Sequence, residues 1–239
     1  MNDQDPFSAP HRFPTPTRPL LGLTMLVVED SRYASEAMRL LCLRSGARIR
    51  RADCLKSARR HLQIYRPSVI VVDLGLPDGS GETLIRELSA TQPRVPVILG
   101  VSGDAFAEDL AIAAGADGFL AKPVTSLAVF QQAILSRLPE EVRPAMLRSL
   151  PDEDVTPDLI AFQDDMAHIA DMLTGAENDA VLDYVAQFVG GVARSAGDTN
   201  LAAAAEELAD CRSNGLPVAA QAAYVAALVQ ERLEHRQAI

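Results

Sequence analysis

The stretch Val71-Val-Asp73-Leu-Gly-Leu-Pro77-Asp-Gly79 decides the fold of the first half of this chain. An apolar run ends on one aspartate, and a turn containing proline and glycine follows at once. An acid at the carboxyl end of a buried strand lies at the mouth of an open α/β sheet, where ligands bind. Such an acid can also be a structural cap, so the residues that end the neighbouring strands must decide between the two interpretations.

Three other apolar runs also end on polar side chains. Met25–Val28 is followed by Glu29 and Asp30, Val97–Val101 by Ser102, and Phe119–Ala121 by Lys122. Because like ends of parallel strands lie on one edge of a sheet, three carboxylates, a hydroxyl and a lysine should converge there. Carboxylate oxygens are ligands that Mg²⁺ prefers, and an ammonium and a hydroxyl suit a phosphoryl oxygen.

The periodicity of the first half predicts an α/β fold. The apolar runs lack polar alternation, as expected of strands buried on both faces. Helical patterns lie between them, at about 33–45, 55–65, 82–91, 107–114 and 127–138. This alternation predicts a doubly wound parallel sheet.

Residues 24–138 resemble the receiver domain of a two-component response regulator. The resemblance rests on the pair Glu29-Asp30, on Asp73 with its Leu-Pro-Asp-Gly turn, on Ser102, and on Lys122-Pro123 with Phe119 three residues before the lysine. It implies a flavodoxin-like sheet of five parallel strands. Two positions depart from the family pattern: Gly103 stands where alanine is usual, and Gly100 interrupts the preceding strand.

The resemblance also implies roles for individual residues. Asp73 would accept a phosphoryl group, Lys122 would bind it, Ser102 would move to meet it, and Phe119 would follow that movement. Mg²⁺ would be held by Glu29, Asp30, Asp73 and the carbonyl of Gly75. A sensor histidine kinase or a histidine phosphotransfer protein would supply the phosphoryl group. The chain would then not be an enzyme, beyond assisting its own Mg²⁺-dependent phosphorylation and dephosphorylation.

Charge separates the two halves of the chain. Residues 1–138 contain 16 basic and 14 acidic residues, a net charge of +2, whereas residues 139–239 contain 6 basic and 18 acidic residues, a net charge of −12. A DNA-binding half needs a cationic face. We therefore expect the second half to contact proteins and not DNA.

The composition of each segment, together with the residues that begin and end helices, predicts the remaining domain organisation. We expect a disordered proline-rich leader over 1–22, a receiver domain over 23–138, a linker over 139–157 and a bundle of four helices over 158–239. The helices are predicted near 158–173, 179–196, 200–212 and 217–235. Three scattered cysteines indicate reduced thiols, and no apolar run has the length of a membrane span. These features favour the cytoplasm.

The segment from Gln187 to Gly197 resembles the core motif of histidine phosphotransfer domains. Small residues and leucines fall at matching offsets, namely Gly191, Ala193, Gly197, Leu201 and Leu208. Gln187 replaces the phosphorylatable histidine and Gly190 replaces a lysine, so the domain is expected to be degenerate and non-catalytic. Close packing of two helices would also select small residues. On either interpretation, Gly191 is expected to lie where two helices approach.

Three functions remain open at this stage. The chain is interpreted first as a phosphorylation-controlled regulator whose helical half acts by contact with a protein partner. The alternative is a phosphate sink or relay whose bundle only dimerises, and a third hypothesis makes His168 an active phosphoacceptor. A basic cluster around the second strand and helix is either a solvated face or a docking surface for an acidic partner; it contains Arg48, Arg50, Arg51, Lys56, Arg59, Arg60 and Arg66.

Overall fold

The first part of the computed structural model alternates strands and helices as the sequence predicts. The model describes residues 14–104, 106–140, 152–174 and 179–234. The strands and helices of this first part have these bounds: β1 (Thr24–Val28), α1 (Arg32–Ser45), β2 (Arg48–Ala52), α2 (Leu55–Ile64), β3 (Val69–Asp73), β4 (Gly75–Leu76), β5 (Gly79–Ser80), α3 (Gly81–Ala90), β6 (Val97–Ser102), α4 (Ala107–Ala114), β7 (Gly118–Ala121) and α5 (Leu127–Leu135).

Five of these strands form one parallel sheet in the order β2-β1-β3-β6-β7. The predicted flavodoxin-like fold is therefore confirmed. Strands β1, β3 and β6 are buried along almost their whole length, which explains why their sequences lack polar alternation. The strand order reverses between β1 and β3, and the carboxyl ends of strands at such a point form a ligand-binding crevice.

Parts of the predicted leader and of the predicted linker pack against the first domain. The leader predicted over 1–22 does not remain free of the fold, because Leu20 is fully buried and its N–H donates to the carbonyl of Ser45. Residues 1–13 lie outside the described part of the chain. The end of the predicted linker also packs, since Val155 is buried and its N–H donates to the carbonyl of Thr125. An apolar side chain in each segment explains this packing.

The second part of the chain contains four helices, α6 (Leu159–Thr174), α7 (Asp179–Ala196), α8 (Thr199–Ser213) and α9 (Ala219–Glu234). They pack around one apolar core, to which each contributes, for example, Met166, Val189, Leu208 and Val229. The side chain of Asp198 caps α8 by accepting a hydrogen bond from the N–H of Leu201. The predicted all-α bundle is confirmed. Among the described residues, no helix is both long enough and apolar enough to cross a membrane.

The bundle packs directly on the first part of the chain. Helices α6 and α7 both contact α1, and α7 also contacts β4. Since α1 follows β1 and β4 follows β3, these contacts place the bundle at the carboxyl edge of the sheet. The two parts of the chain therefore meet at the crevice where the sequence predicts a site.

Candidate functional site: an acidic cleft between the sheet and the bundle

Lys122 connects two of the predicted carboxylates at the sheet edge. Its Nζ lies 2.7 Å from Oδ2 of Asp73, the last residue of β3, and 3.1 Å from Oε1 of Glu29, which follows β1. All three side chains are almost completely buried. Burial alone would lower the pKa of Lys122, but the carboxylates of Asp73 and Glu29 raise it above its usual value. The lysine is therefore held as a cation against Asp73.

Glu29, Asp30 and Asp73 form a cluster that fits a divalent cation. One carboxylate oxygen from each lies within 4.8 Å of the others. Burial and the charge of neighbouring acids raise the pKa of Glu29 well above its usual range and that of Asp30 to about 6. The single ammonium of Lys122 leaves these acids with excess negative charge, and a set of oxygen donors with such an excess is what Mg²⁺ requires.

Ser102 and Phe119 lie on neighbouring strands beside this cluster. Ser102 ends β6 and lines the cleft, and its Oγ accepts a hydrogen bond from the N–H of Asp104 at 3.1 Å. Phe119 is half-buried and packs near Gly100 instead of lining the cleft. A Cβ at Gly100 would lie only 2.7 Å from the Cβ of Ala111. The glycine therefore lets α4 pack closely on the strand that carries Ser102.

Asp165 of the bundle anchors α6 to the start of α1. Its carboxylate accepts hydrogen bonds from Oγ of Ser31 at 2.7 Å, from the N–H of Arg32 at 2.8 Å and from the N–H of Tyr33 at 3.0 Å. The first N–H groups of a helix have no partner within the helix, and a carboxylate there is also stabilised by the helix dipole. A buried acid of the bundle thus completes the N-terminus of α1.

Three side chains of α7 extend into the region of the acidic cluster. The hydroxyl of Tyr184 donates a hydrogen bond to Oδ2 of Asp30. The amide of Gln187 lies against Gly75 so closely that a side chain at position 75 would overlap it. The guanidinium of Arg194 reaches Gly103, where a Cβ would lie 3.1 Å from its Nη2. These contacts close one side of the predicted site.

Both parts of the chain line the resulting cleft. The sheet edge contributes the predicted residues Glu29, Asp30, Asp73, Gly75, Ser102 and Lys122, and α7 contributes Gln187, Gly191 and Arg194. Its volume is about 60 Å³, several times the roughly 10–15 Å³ that one water molecule needs. The arrangement can accommodate a small anion with water between the lysine and the side chains of α7.

The sequence missed the contributions of Asp165, Tyr184 and Arg194. One signal was available for Asp165, because it precedes Ile169 by four residues and therefore falls on the buried stripe of α6. An acid on such a stripe requires a partner. For Arg194 the signal was Gly103, the position that departs from the receiver pattern.

The expected role of Gly191 is wrong. A Cβ at this position would meet nothing within 4 Å, so none of the helices that the structure describes approaches it closely. We expect Gly191→Ala to increase the free energy of unfolding by up to about 1 kcal/mol, because alanine has the higher helix propensity. Urea denaturation of the full chain checks this. A loss of more than 1 kcal/mol would restore the close-packing interpretation.

The basic cluster does not form the interface with the bundle through ion pairs. In the part of the chain that the structure describes, none of its seven residues pairs with an acid of α6–α9; Arg59 pairs with Glu87, for example. Arg32 instead pairs with Asp164 at 2.7 Å. His168 is exposed, and its ring packs edge-on against Phe188 at 5.9 Å. His168 lines a surface pocket together with Asp30 and Arg32, so it lies at the rim of the interface between the two parts of the chain.

Comparison with known proteins gives the family of the first part. Residues 25–134 match the model of the response regulator receiver domain. This part of the chain is therefore a response regulator receiver domain. Helices α6–α9 lie outside the matched range.

Two regulators and two solved structures illustrate the similarity. The chain is 31% identical over 99 residues to the KDP operon transcriptional regulatory protein KdpE of Escherichia coli K12, and 27% identical over 118 residues to the virulence transcriptional regulatory protein PhoP of Shigella flexneri. These matches cover 41% and 48% of this chain, and 44% and 53% of the regulators, so the chain spans about half the length of the curated relatives it matches.

The first solved structure is that of a candidate response regulator from Chloroflexus aurantiacus, which is 28% identical with a TM-score of 0.45, over 48% of this chain and 98% of that one. The second is the receiver domain of a sensor histidine kinase from Pseudomonas aeruginosa with a magnesium ion coordinated in its active site cleft. It is 27% identical with a TM-score of 0.44, over 48% of this chain and 97% of that one.

Proposed function

We propose that this chain is a response regulator of a two-component phosphorelay that accepts a phosphoryl group on Asp73 and signals through protein contacts of its helical bundle. The observation that carries the proposal is the pairing of Asp73 with Lys122 beside Glu29 and Asp30 at the carboxyl edge of a receiver sheet. This set provides a nucleophilic carboxylate, a cation for the phosphoryl group and ligands for a divalent metal.

The proposed transfer is a displacement at phosphorus. An oxygen of Asp73 forms a bond to the phosphorus of a phosphohistidine donor as the bond between phosphorus and the histidine nitrogen breaks. The donor is a sensor histidine kinase or a histidine phosphotransfer protein. Lys122 is placed to bind an oxygen of the transferred group, and the hydroxyl of Ser102 can donate to another. Catalysis then rests on positioning and electrostatics.

Mg²⁺ would be held by Glu29, Asp30, Asp73 and the carbonyl of Gly75, and when bound it would neutralise charge on the transferring phosphoryl group. The hydrogen bond from Tyr184 is compatible with this assignment. An ionised carboxylate offers about four lone-pair positions. Asp30 therefore keeps positions for a cation while it accepts from Tyr184.

The bundle is proposed to be the output element because it contacts the acceptor site. Phosphorylation adds charge between Lys122 and α7, so it should alter the contacts that Gln187 and Tyr184 make there. The net charge of −12 over residues 139–239 opposes binding to DNA. We therefore expect the signal to pass to a separate protein that binds the bundle.

Lys122→Ala tests the proposed coupling. We expect the variant to retain some phosphorylation at Asp73 but to lose the conformational response, because the phosphoryl charge lacks its cation. Labelling with acetyl phosphate and limited proteolysis with and without label measure the two properties. Lys56→Ala is the matched control, since Lys56 is exposed on α2. A wild-type response in Lys122→Ala would contradict the assigned role.

A further inference from the structure

Gln187 and Arg194 are two residues of the bundle that have no part in the proposed transfer of the phosphoryl group to Asp73. Both line the cleft that contains Asp73, Ser102 and Lys122. Among the described residues, neither side chain has a hydrogen bond or an ion pair with another residue. Both residues are exposed, so a guanidinium and an amide that water can reach face the site at which a phosphoryl group would be attached.

Three glycines make room for these two side chains. Gly75 has no side chain where the amide of Gln187 lies. Arg194 extends between Gly103 of the receiver and Gly190 of its own helix, where added Cβ atoms would lie 3.1 Å from Nη2 and 3.2 Å from Nη1. The two positions that depart from their family patterns, Gly103 and Gly190, therefore leave space for the same guanidinium.

The chemistry of the pair matches the requirements of phosphoryl hydrolysis. A glutamine amide has both a donor and an acceptor, so it can orient an attacking water molecule, and an arginine stabilises charge on a transferring phosphoryl group. The cleft, about 60 Å³ in volume, has room for a water molecule. Lys122 approaches Asp73 from the sheet, whereas Gln187 and Arg194 approach from the bundle.

We propose that the bundle supplies a phosphatase activity in cis, in which Gln187 orients the water and Arg194 binds the phosphoryl group on Asp73. This inference rests on the proposed function. The water oxygen forms a bond to phosphorus while the bond between phosphorus and the Asp73 oxygen breaks. The electron pair of the broken bond returns to the Asp73 carboxylate. The protons of the water leave with inorganic phosphate. The reaction resets the receiver, so the bundle limits the lifetime of the signal.

The lifetime of the phosphoryl group tests this activity. The full chain is labelled with acetyl phosphate, the donor is removed, and the release of inorganic phosphate is followed. We expect Gln187→Ala and Arg194→Ala to lengthen the half-life by roughly tenfold to a hundredfold, the effect of losing one group that acts in the transition state. Gln230→Ala and Arg212→Ala, on helices α9 and α8, should leave it unchanged. Circular dichroism confirms that each variant is folded.

Gln187→His provides a second measurement that does not depend on hydrolysis. If position 187 faces the phosphorus, an imidazole there should take the phosphoryl group from Asp73, with a nitrogen–phosphorus bond forming as the oxygen–phosphorus bond breaks. The label would become stable to alkali and labile to acid, and mass spectrometry would locate it at position 187. A label that remains on Asp73 would contradict the proposed placement.

The outcomes separate this inference from the proposed function. Absence of label from the wild-type chain and also from Gln187→Ala and Arg194→Ala would overturn both. Label on Asp73 with equal half-lives in all variants would overturn the phosphatase activity alone. Shorter half-lives in Gln187→Ala and Arg194→Ala would also overturn it, because they would show that the bundle shields the phosphoryl group from water.

Discussion

Asp73→Asn is expected to abolish stable phosphorylation of the chain, and removal of Mg²⁺ is expected to have the same effect on the unaltered protein. The asparagine amide preserves the shape of the side chain but is not a nucleophile, and it removes the charge that Lys122 contacts at 2.7 Å. Without a divalent cation, the acids around Asp73 repel the incoming phosphoryl group. Labelling with acetyl phosphate and site mapping by mass spectrometry measure both effects.

Asp104→Asn is the matched control for this substitution. Asp104 also lines the cleft, but it is exposed, and its carboxylate accepts from the N–H of Phe106. We expect it to retain labelling close to the wild-type level. Labelling that survives Asp73→Asn would show that Asp73 is not the acceptor. Labelling that proceeds fully in EDTA would show that the transfer does not need Mg²⁺.

Asp165→Ala is expected to cost about 2–3 kcal/mol of stability and to release the bundle from α1. The substitution leaves Ser31, Arg32 and Tyr33 without the carboxylate that accepts from all three. Hydrogen bonds to a charged group each contribute about 1.5–3 kcal/mol, but water can reach these donors once the interface opens. Urea denaturation measures the loss, and limited proteolysis measures the release.

Asp164→Ala separates this effect from a simple change of charge. Asp164 precedes Asp165 and pairs with Arg32. The side chain of Asp164 is 39% exposed and that of Arg32 is 65% exposed. Exposed pairs contribute about 0–1 kcal/mol. If both alanine variants lost stability equally, the anchoring role of Asp165 would be wrong.

The sequence predicted the receiver and its cleft because each feature is local. Unbroken apolar runs mark the buried strands, and the residue that ends each run must lie at one edge of a parallel sheet, so Glu29, Asp30, Asp73 and Lys122 could be placed together without coordinates. The bounds of the elements were predicted to within about one turn. The burial of Leu20 and Val155 was missed because short segments rich in proline lack periodicity.

The packing of the bundle on the receiver could not be predicted in the same way. Helical periodicity identifies the face of α7 that contains Val185 and Val189, but it does not indicate which protein surface covers the other face. The contacts of Tyr184 and Arg194 join residues distant in sequence and depend on the geometry of the interface. Glycines at positions 75, 103 and 190 were visible in the sequence, but their shared role required the structure.

Hydrogen exchange at the N-terminus of α1 tests most directly the claim that the bundle packs over the acceptor site. The first N–H groups of a helix have no intrahelical partner and exchange quickly unless something else accepts them. Because Asp165 accepts from Arg32 and Tyr33, the account predicts slow exchange of these two amides in the full chain and fast exchange in Asp165→Ala. Fast exchange in the unaltered protein would contradict the account.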